Sequence, residues 1–205
     1  MPAPRESLLW LLDSASLPDA ALEAGLGWLG EGERLRHARF LRAERRRQFV
    51  AGRVLLRMAI GRLLGVAPRT VALIERPGNA PALLAPDCPG LGFSISHSGR
   101  WVACAVSLAA PVGLDIERID PARDLLAIAE QAFGAVAARE LAALGAPQRV
   151  SAFYRMWCRH EAHIKLGQAG SHDFFHEFDG MALVLSSTQA LDVTPAVIDT
   201  AGFAA

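Results

Sequence analysis

The feature that most constrains the fold is a run of three closely spaced strand patterns between residues 93 and 118. Phe93 to Ser96 forms the first pattern and leads into a polar turn at His97–Arg100. Trp101 to Leu108 is apolar throughout, which is typical of a strand buried on both faces. Pro111 then opens Val112 to Arg118, where apolar and polar residues alternate. The segment predicts a sheet in the middle of the chain.

The alternation in the third pattern places two carboxylates on one face. Leu114 and Ile116 point to one side of the strand, whereas Gly113, Asp115 and Glu117 point to the other. The side chains of Asp115 and Glu117 then lie roughly 7 Å apart, so their charges repel unless something neutralises them. Solvated carboxylates paired with nearby arginines are one interpretation, and a bound cation is the other.

The chain before this segment is mainly helical. Ser7 to Asp13 predicts a short buried strand, and Pro18-Asp19 predicts the start of a helix. Apolar positions recur at helical spacing from Glu33 to Gly65, and the break near Arg42–Glu44 predicts two helices. Val66 to Leu91 is rich in proline and glycine and is predicted as loop.

The chain after the segment contains further helices and a strand. Leu125 to Leu144 predicts a helix that bends at Gly134. Pro147 begins another, which ends at Gly167, and Met181 to Leu185 predicts a strand. The apolar side of the Pro147 helix is expected to consist of Phe153, Met156, Trp157 and Ile164. The prediction is an α+β fold of two similarly sized halves, with residues 1–108 in the first and residues 109–205 in the second.

The Pro147 helix carries an acid and an amine side by side. Trp157, Glu161 and Lys165 are spaced at i, i+4 and i+8, which places them on one face over two turns. The chain has 21 basic residues, and Lys165 is its single lysine. A lysine can be tuned to transfer a proton near neutral pH, whereas an arginine cannot. The arrangement is either an ordinary surface ion pair or a site of proton transfer.

Packing of this helix against the carboxylate face would bring three carboxylates together. Asp115, Glu117 and Glu161 would then need a divalent cation. Oxygen ligands that leave coordination positions open favour Mg²⁺, with Mn²⁺ as a substitute.

Composition excludes some classes of protein. Hydrophobic residues make up 52% of the 205 residues, which is typical of a globular protein, and the formal net charge is zero. The net charge therefore creates no overall electrostatic attraction to nucleic acid or to an anionic membrane. Three cysteines show neither metal-ligand nor disulfide spacing. Met1 to Glu6 show no targeting pattern, so the expectation is a cytoplasmic protein.

Three motifs in order resemble a known family. Phe93-Ser-Ile-Ser-His97-Ser-Gly99, Val112-Gly-Leu-Asp115-Ile-Glu117 and Trp157-x-x-x-Glu161-Ala-x-x-Lys165 resemble the 4'-phosphopantetheinyl transferases of the surfactin-synthetase-activating type. The resemblance extends from about Glu33 through Gly167. It implies two pseudo-symmetric α/β halves with coenzyme A bound in the cleft between them. It also implies transfer of the phosphopantetheine arm to a serine of an acyl or peptidyl carrier protein, with release of 3',5'-ADP.

The resemblance implies roles for individual residues. Asp115, Glu117 and Glu161 would hold Mg²⁺ against the pyrophosphate of coenzyme A, and Glu161 would be the base for the carrier serine. Lys165 would neutralise or protonate the leaving phosphate. The residues expected to contact the phosphates of coenzyme A are Ser96, His97, Arg53, Arg57 and His160, with other arginines among the ten between positions 34 and 62.

Two positions depart from the family pattern. His160 stands where a permanently basic residue usually precedes the glutamate, and a protonated histidine would restore part of that charge. Asn79-Ala80-Pro81 stands in place of the usual Gly-Lys-Pro, so a phosphate-binding lysine is missing. The resemblance implies a divergent but active enzyme that works as a monomer, and it leaves open fatty acid, polyketide or nonribosomal peptide synthesis as the pathway.

Three other functions are compatible with parts of the sequence. His160, His163, His172 and His176 suggest a zinc enzyme, although the metalloprotease motif needs histidines at i and i+4 and position 164 is isoleucine. The arginine-rich helices would suit a non-catalytic module that docks acidic carrier proteins. Nucleic-acid binding through the same arginines is less compatible, because the sequence lacks aromatic residues interleaved with them and has no net positive charge.

Overall fold

The computed structural model describes residues 6–76, 78–200 and 203, so the predictions made for Met1–Arg5 lie outside the described residues. The strands and helices follow one another in this order: β1 (Ser7–Asp13), α1 (Asp19–Leu26), α2 (Glu31–Ala38), α3 (Ala43–Leu64), β2 (Ala72–Ile74), β3 (Ala82–Ala85), β4 (Gly92–Ser98), β5 (Trp101–Ser107), β6 (Val112–Arg118), α4 (Leu125–Phe133), α5 (Ala135–Ala142), α6 (Ala146–Leu166), β7 (His172–Phe178), β8 (Met181–Ser187) and β9 (Pro195–Val197).

The first half is a sheet covered by the long helix α3. The strand order is β4-β5-β1-β9, and β5 lies between two antiparallel neighbours. Every residue of β5 is buried, as its apolar sequence predicts. Gly52 of α3 lies against Ile95 and Val102 of this sheet, so the helix packs closely on it.

The second half is an antiparallel sheet covered by α6. Its strand order is β6-β8-β7. Leu114 and Ile116 on one face of β6 are completely buried with Leu9 and Leu11 of β1. The other face of β6 lies under α6. The two sheets therefore share an apolar layer, and β6 carries its polar face toward the helix.

The end of the chain returns to the first half. β9 pairs in parallel with β1, and Phe203 belongs to the core around α3. The chain thus folds as a mixed α+β structure in which residues beyond β8 contribute to the first sheet.

Most elements agree with the sequence predictions. The break between α2 and α3 and the bend at Gly134, whose φ is +88°, are both present. The predicted turn at His97–Arg100 is present but starts two residues later, at Gly99, because β4 continues to Ser98. The predicted loop at Val66–Leu91 contains the short hairpin of β2 and β3. Ile164 is 60% exposed and is not part of the apolar side of α6.

A membrane-spanning helix is not found in the part of the chain that the structure describes, because none of its helices combines the length and the apolar character that a span requires.

Candidate active site

Helix α6 lies directly on the carboxylate face of β6 because Gly113 has no side chain. A Cβ atom at Gly113 would lie 2.0 Å from the carbonyl oxygen of Ala162 and 2.8 Å from the backbone nitrogen of Leu166. These distances are far below van der Waals contact. The glycine thus permits the close approach that carries Lys165 to the strand.

We expect Gly113→Ala to displace α6 and to damage the site and the fold together. The clash is with backbone atoms, so the helix as a whole has to move, at a cost of about 3 kcal/mol. The melting temperature should fall by about 6 to 12 °C. Gly32→Ala is the matched control, since a Cβ there meets only ordinary contacts with Glu75. Equal melting temperatures for the two variants would contradict this account of the packing.

Asp115 is the buried centre of the site. Only 4% of the residue is exposed. Its Oδ1 accepts hydrogen bonds from Lys165 Nζ at 2.7 Å and from Ser96 Oγ at 2.9 Å. Its Oδ2 is buried and has no hydrogen-bond partner among the residues that the structure describes. A buried anionic oxygen without a partner is costly, so this atom suits the binding of a cation.

Lys165 is held at the same point by three acceptors. Besides Asp115, its Nζ donates to Ser96 Oγ and to the carbonyl oxygen of Leu114, each at 2.9 Å. Its side chain remains 30% exposed. The amine is therefore anchored to β4 and β6 by all three of its N–H donors, and the partly exposed side chain places its positive charge where it can attract an incoming anion.

Glu117 lies beside Asp115 in a partly buried position. Its Oε2 accepts a hydrogen bond from Ser98 Oγ at 2.9 Å. Burial, and to a smaller extent the charge of Asp115, raises the pKa of the Glu117 carboxyl, while Ser98 and Lys165 oppose that rise. A cation between the two carboxylates would relieve the same repulsion.

Cys158 lies beneath these carboxylates on the inner face of α6. Its thiol donates to the carbonyl oxygen of Ala182 at 3.6 Å. Burial, followed by the charges of Asp115 and Glu117, raises the pKa of this thiol well above its usual range. Cys158 is therefore a protonated core residue that faces the site without reactivity of its own.

Glu161 lies on α6 one turn before Lys165 and three residues after Cys158, and it is half-buried. Across residues 6–76, 78–200 and 203, no three or more His, Cys, Asp and Glu side chains are arranged to hold a metal ion. The convergence of Asp115, Glu117 and Glu161 thus stays a prediction. Asp115 and Glu117 do fit a hard cation, because both supply oxygen donors and Oδ2 of Asp115 lacks a partner.

His97 and Arg45 form a basic pair at the edge of the site. Arg45 Nη1 of α3 lies 2.7 Å from Nδ1 of His97. Burial, then the charges of Arg45 and Lys165, lowers the pKa of His97 to about 4. The ring is therefore neutral near pH 7, and Arg45 carries the positive charge. The sequence placed Arg45 among ten candidate arginines but gave no signal that singles it out.

Arg53 and Arg57 form ion pairs with glutamates inside the first half. Arg57 is buried, and its guanidinium pairs with Glu33 of α2 at 2.5 Å and donates to the carbonyl oxygen of Val71 at 3.1 Å. Arg53 pairs with Glu33 and Glu75. Burial is the main cause that lowers the pKa of Arg53, against the opposing effect of the two glutamates. These contacts favour a structural role for both arginines.

Arg57→Met should destabilise the fold by about 3 to 5 kcal/mol, because it removes the main partner of the buried Glu33. Urea unfolding measures the loss. Arg62→Met, on the exposed side of the same helix, is the control and should leave stability nearly unchanged. If Arg57 serves coenzyme A instead, its replacement will weaken coenzyme A binding with little change in stability.

Three histidines of the second half have separate partners. His160 is exposed, and its ring meets the ring of Phe133 edge to face at 5.3 Å. His163 faces Asp173 at 3.2 Å, and His176 stacks on Phe178. The predicted contact of His160 with coenzyme A stays a prediction.

Comparison with known proteins gives one consistent result. A model of the 4'-phosphopantetheinyl transferase superfamily matches residues 111–203, and a model described as 4'-phosphopantetheinyl transferase, N-terminal, matches residues 19–109. The 4'-phosphopantetheinyl transferase HetI of Nostoc sp. is 31% identical over 187 residues, which cover 90% of this chain and 74% of that protein.

Two further relatives share the description over shorter stretches. The 4'-phosphopantetheinyl transferase Sfp of Bacillus subtilis is 31% identical over 143 residues, 70% of this chain and 62% of that protein. AcpT of Salmonella typhimurium is 35% identical over 121 residues, 59% of this chain and 58% of that protein. Less than two thirds of either relative is matched. The comparisons do not favour a zinc enzyme or a non-catalytic docking module.

Proposed function

The chain belongs to the 4'-phosphopantetheinyl transferase superfamily, and from that premise we propose that it transfers the phosphopantetheine arm of coenzyme A to a serine of an acyl or peptidyl carrier protein. The observation that supports this best is the pairing of Asp115 with the single lysine, Lys165, over a buried carboxylate oxygen that lacks a partner in the described chain. In such a site the carboxylate can bind a cation, and the amine beside it can neutralise a phosphate.

Asp115 and Glu117 would hold Mg²⁺, with Glu161 of α6 as the third carboxylate and Mn²⁺ as a substitute. When bound, the ion would neutralise charge on the pyrophosphate of coenzyme A. The unpartnered Oδ2 of Asp115 is the first ligand atom in this assignment. Lys165 keeps the other oxygen, Oδ1, in place.

The reaction forms a bond between the carrier serine Oγ and the phosphorus of the phosphopantetheine arm. It breaks the bond from that phosphorus to the bridging oxygen of the pyrophosphate, and 3',5'-ADP leaves. Glu161, half-buried on α6, accepts the serine proton in this scheme. Lys165, partly exposed beside Asp115, neutralises the phosphate that leaves.

The phosphates of coenzyme A would meet the basic pair of His97 and Arg45. Arg45 provides the charge, because burial and the neighbouring cations keep His97 neutral. Ser96 contacts Asp115 and Lys165 through its hydroxyl, so we assign it to the support of those residues. His160, exposed on α6, is available as an outer contact.

Release of 3',5'-ADP tests the proposed reaction. The protein is incubated with coenzyme A, Mg²⁺ and an apo carrier protein, and the nucleotide is quantified by chromatography. We expect 3',5'-ADP in a one-to-one ratio to carrier and none when the carrier serine is replaced by alanine. Nucleotide release without a carrier would instead indicate hydrolysis of coenzyme A. We further propose that the protein acts as a monomer in the cytoplasm. The rate of nucleotide release will identify which class of carrier reacts fastest.

A further inference from the structure

Three serines of β4 join the two halves of the molecule. They occupy alternate positions of the strand, and the hydroxyl of each accepts a hydrogen bond from a backbone N–H of β6. The pairs are Leu114 to Ser94 at 3.0 Å, Ile116 to Ser96 at 3.3 Å and Arg118 to Ser98 at 3.0 Å. Since β4 and β6 belong to different sheets, these serines provide a polar seam between the sheets.

Each serine hydroxyl also has a proton to donate, and two of the three donate to a site carboxylate. Ser96 donates to Asp115, and Ser98 donates to Glu117, both at 2.9 Å. The equivalent β6 residue beside Ser94 is Gly113, which has no side chain. All three serines of the seam therefore accept a hydrogen bond from the backbone of β6, but only Ser96 and Ser98 also orient a carboxylate.

We propose that Ser98 is a positioning residue that orients Glu117 for the divalent cation. This inference rests on the proposed function. The hydroxyl fixes one carboxylate oxygen, Oε2, and leaves Oε1 available to the ion. Because Ser98 is itself anchored by the N–H of Arg118, the orientation is set by the backbone of the strand that carries Glu117.

The position of Glu117 explains why an orienting bond is needed. Asp115 is fixed by Lys165 and Ser96 together. Glu117 has a longer side chain, lies near the end of β6 and is only partly buried. A side chain with more rotamers loses more entropy when it binds an ion. Partners that orient a metal ligand typically contribute about 10- to 100-fold in affinity.

The test compares threonine and valine at position 98, because they have the same shape and differ by the hydroxyl. Mn²⁺ binding to the full chain is measured by electron paramagnetic resonance of the free ion, and transfer is measured across Mg²⁺ concentrations. We expect Ser98→Val to bind Mn²⁺ about 10-fold more weakly than Ser98→Thr. The Mg²⁺ concentration for half-maximal transfer should rise by a similar factor.

Position 94 provides the matched control. Ser94→Val removes the equivalent hydrogen bond to the backbone of β6 but no hydrogen bond to a carboxylate. Its Mn²⁺ affinity should therefore stay within about 2-fold of that of Ser94→Thr, which is less than the loss expected when an orienting partner is removed. Equal Mn²⁺ affinities for Ser98→Val and Ser98→Thr would overturn the inference, as would equal losses at positions 94 and 98. If the parent protein transfers phosphopantetheine normally in that case, only the role of Ser98 fails. A parent that neither binds Mn²⁺ nor transfers the group overturns both proposals.

Discussion

Asp115→Asn should reduce transfer by about 10³-fold or more while the protein stays folded. The amide is close to the carboxylate in shape and can still accept a hydrogen bond from Lys165. It removes the negative charge at the buried oxygen that has no partner within the described chain. Losing one preorganised electrostatic contact to a transition state typically costs about 10²- to 10³-fold, and here the cation is weakened as well.

The matched control is Asp173→Asn in the same sheet. Asp173 also accepts a hydrogen bond from Ser186, and it lies opposite His163. It is on β7, which β8 separates from β6. Its transfer rate should stay within about 2-fold of the parent, because it does not face the reacting groups. The melting temperature of Asp115→Asn should lie within about 4 °C of the parent, which corresponds to roughly 1 kcal/mol. Full activity in Asp115→Asn would reject the site.

Glu161→Gln should slow transfer by about 10²- to 10⁴-fold, which is the range that a general base contributes. The side chain is half-buried on α6, one turn from Lys165, so the amide should fit without disturbing the helix. Unlike Asp115→Asn, this variant keeps both carboxylates of β6. We therefore expect it to retain coenzyme A binding by calorimetry while the transfer step is lost.

Glu130→Gln controls for the removal of a carboxylate from the helical layer, since Glu130 is exposed on α4. It should transfer at the parental rate. A Glu161→Gln variant that transfers as fast as Glu130→Gln would exclude Glu161 as the base. The assignment would then pass to a group on the carrier protein or to solvent.

The sequence predicted the part of the site that depends on local periodicity. The alternation of β6 indicated that Asp115 and Glu117 share a face opposite Leu114, and the structure confirms it. The predicted end of α6 at Gly167 is also confirmed by its φ of +80°. Periods of two and of 3.6 residues are visible within one segment, so these features need no knowledge of distant contacts.

The sequence could not assign roles that depend on packing between distant segments. An arginine in a helix looks the same whether it binds phosphate or pairs with a buried glutamate, and Arg57 pairs with Glu33. The contact of Arg45 with His97 joins α3 to β4, 52 residues apart. The seam between Ser98 and β6 likewise forms across two sheets. Such contacts follow from the tertiary arrangement and leave no periodic signal.

The most direct measurement of the central claim is the intact mass of apo carrier proteins after incubation with this protein, coenzyme A and Mg²⁺. The account predicts a gain of one phosphopantetheine group per carrier. The gain should disappear when EDTA removes the ion, and also when Asp115→Asn replaces the parent. An unchanged carrier mass across acyl and peptidyl carriers, with coenzyme A still bound to the protein, would contradict the claim that Asp115 and its neighbours form a transferase site.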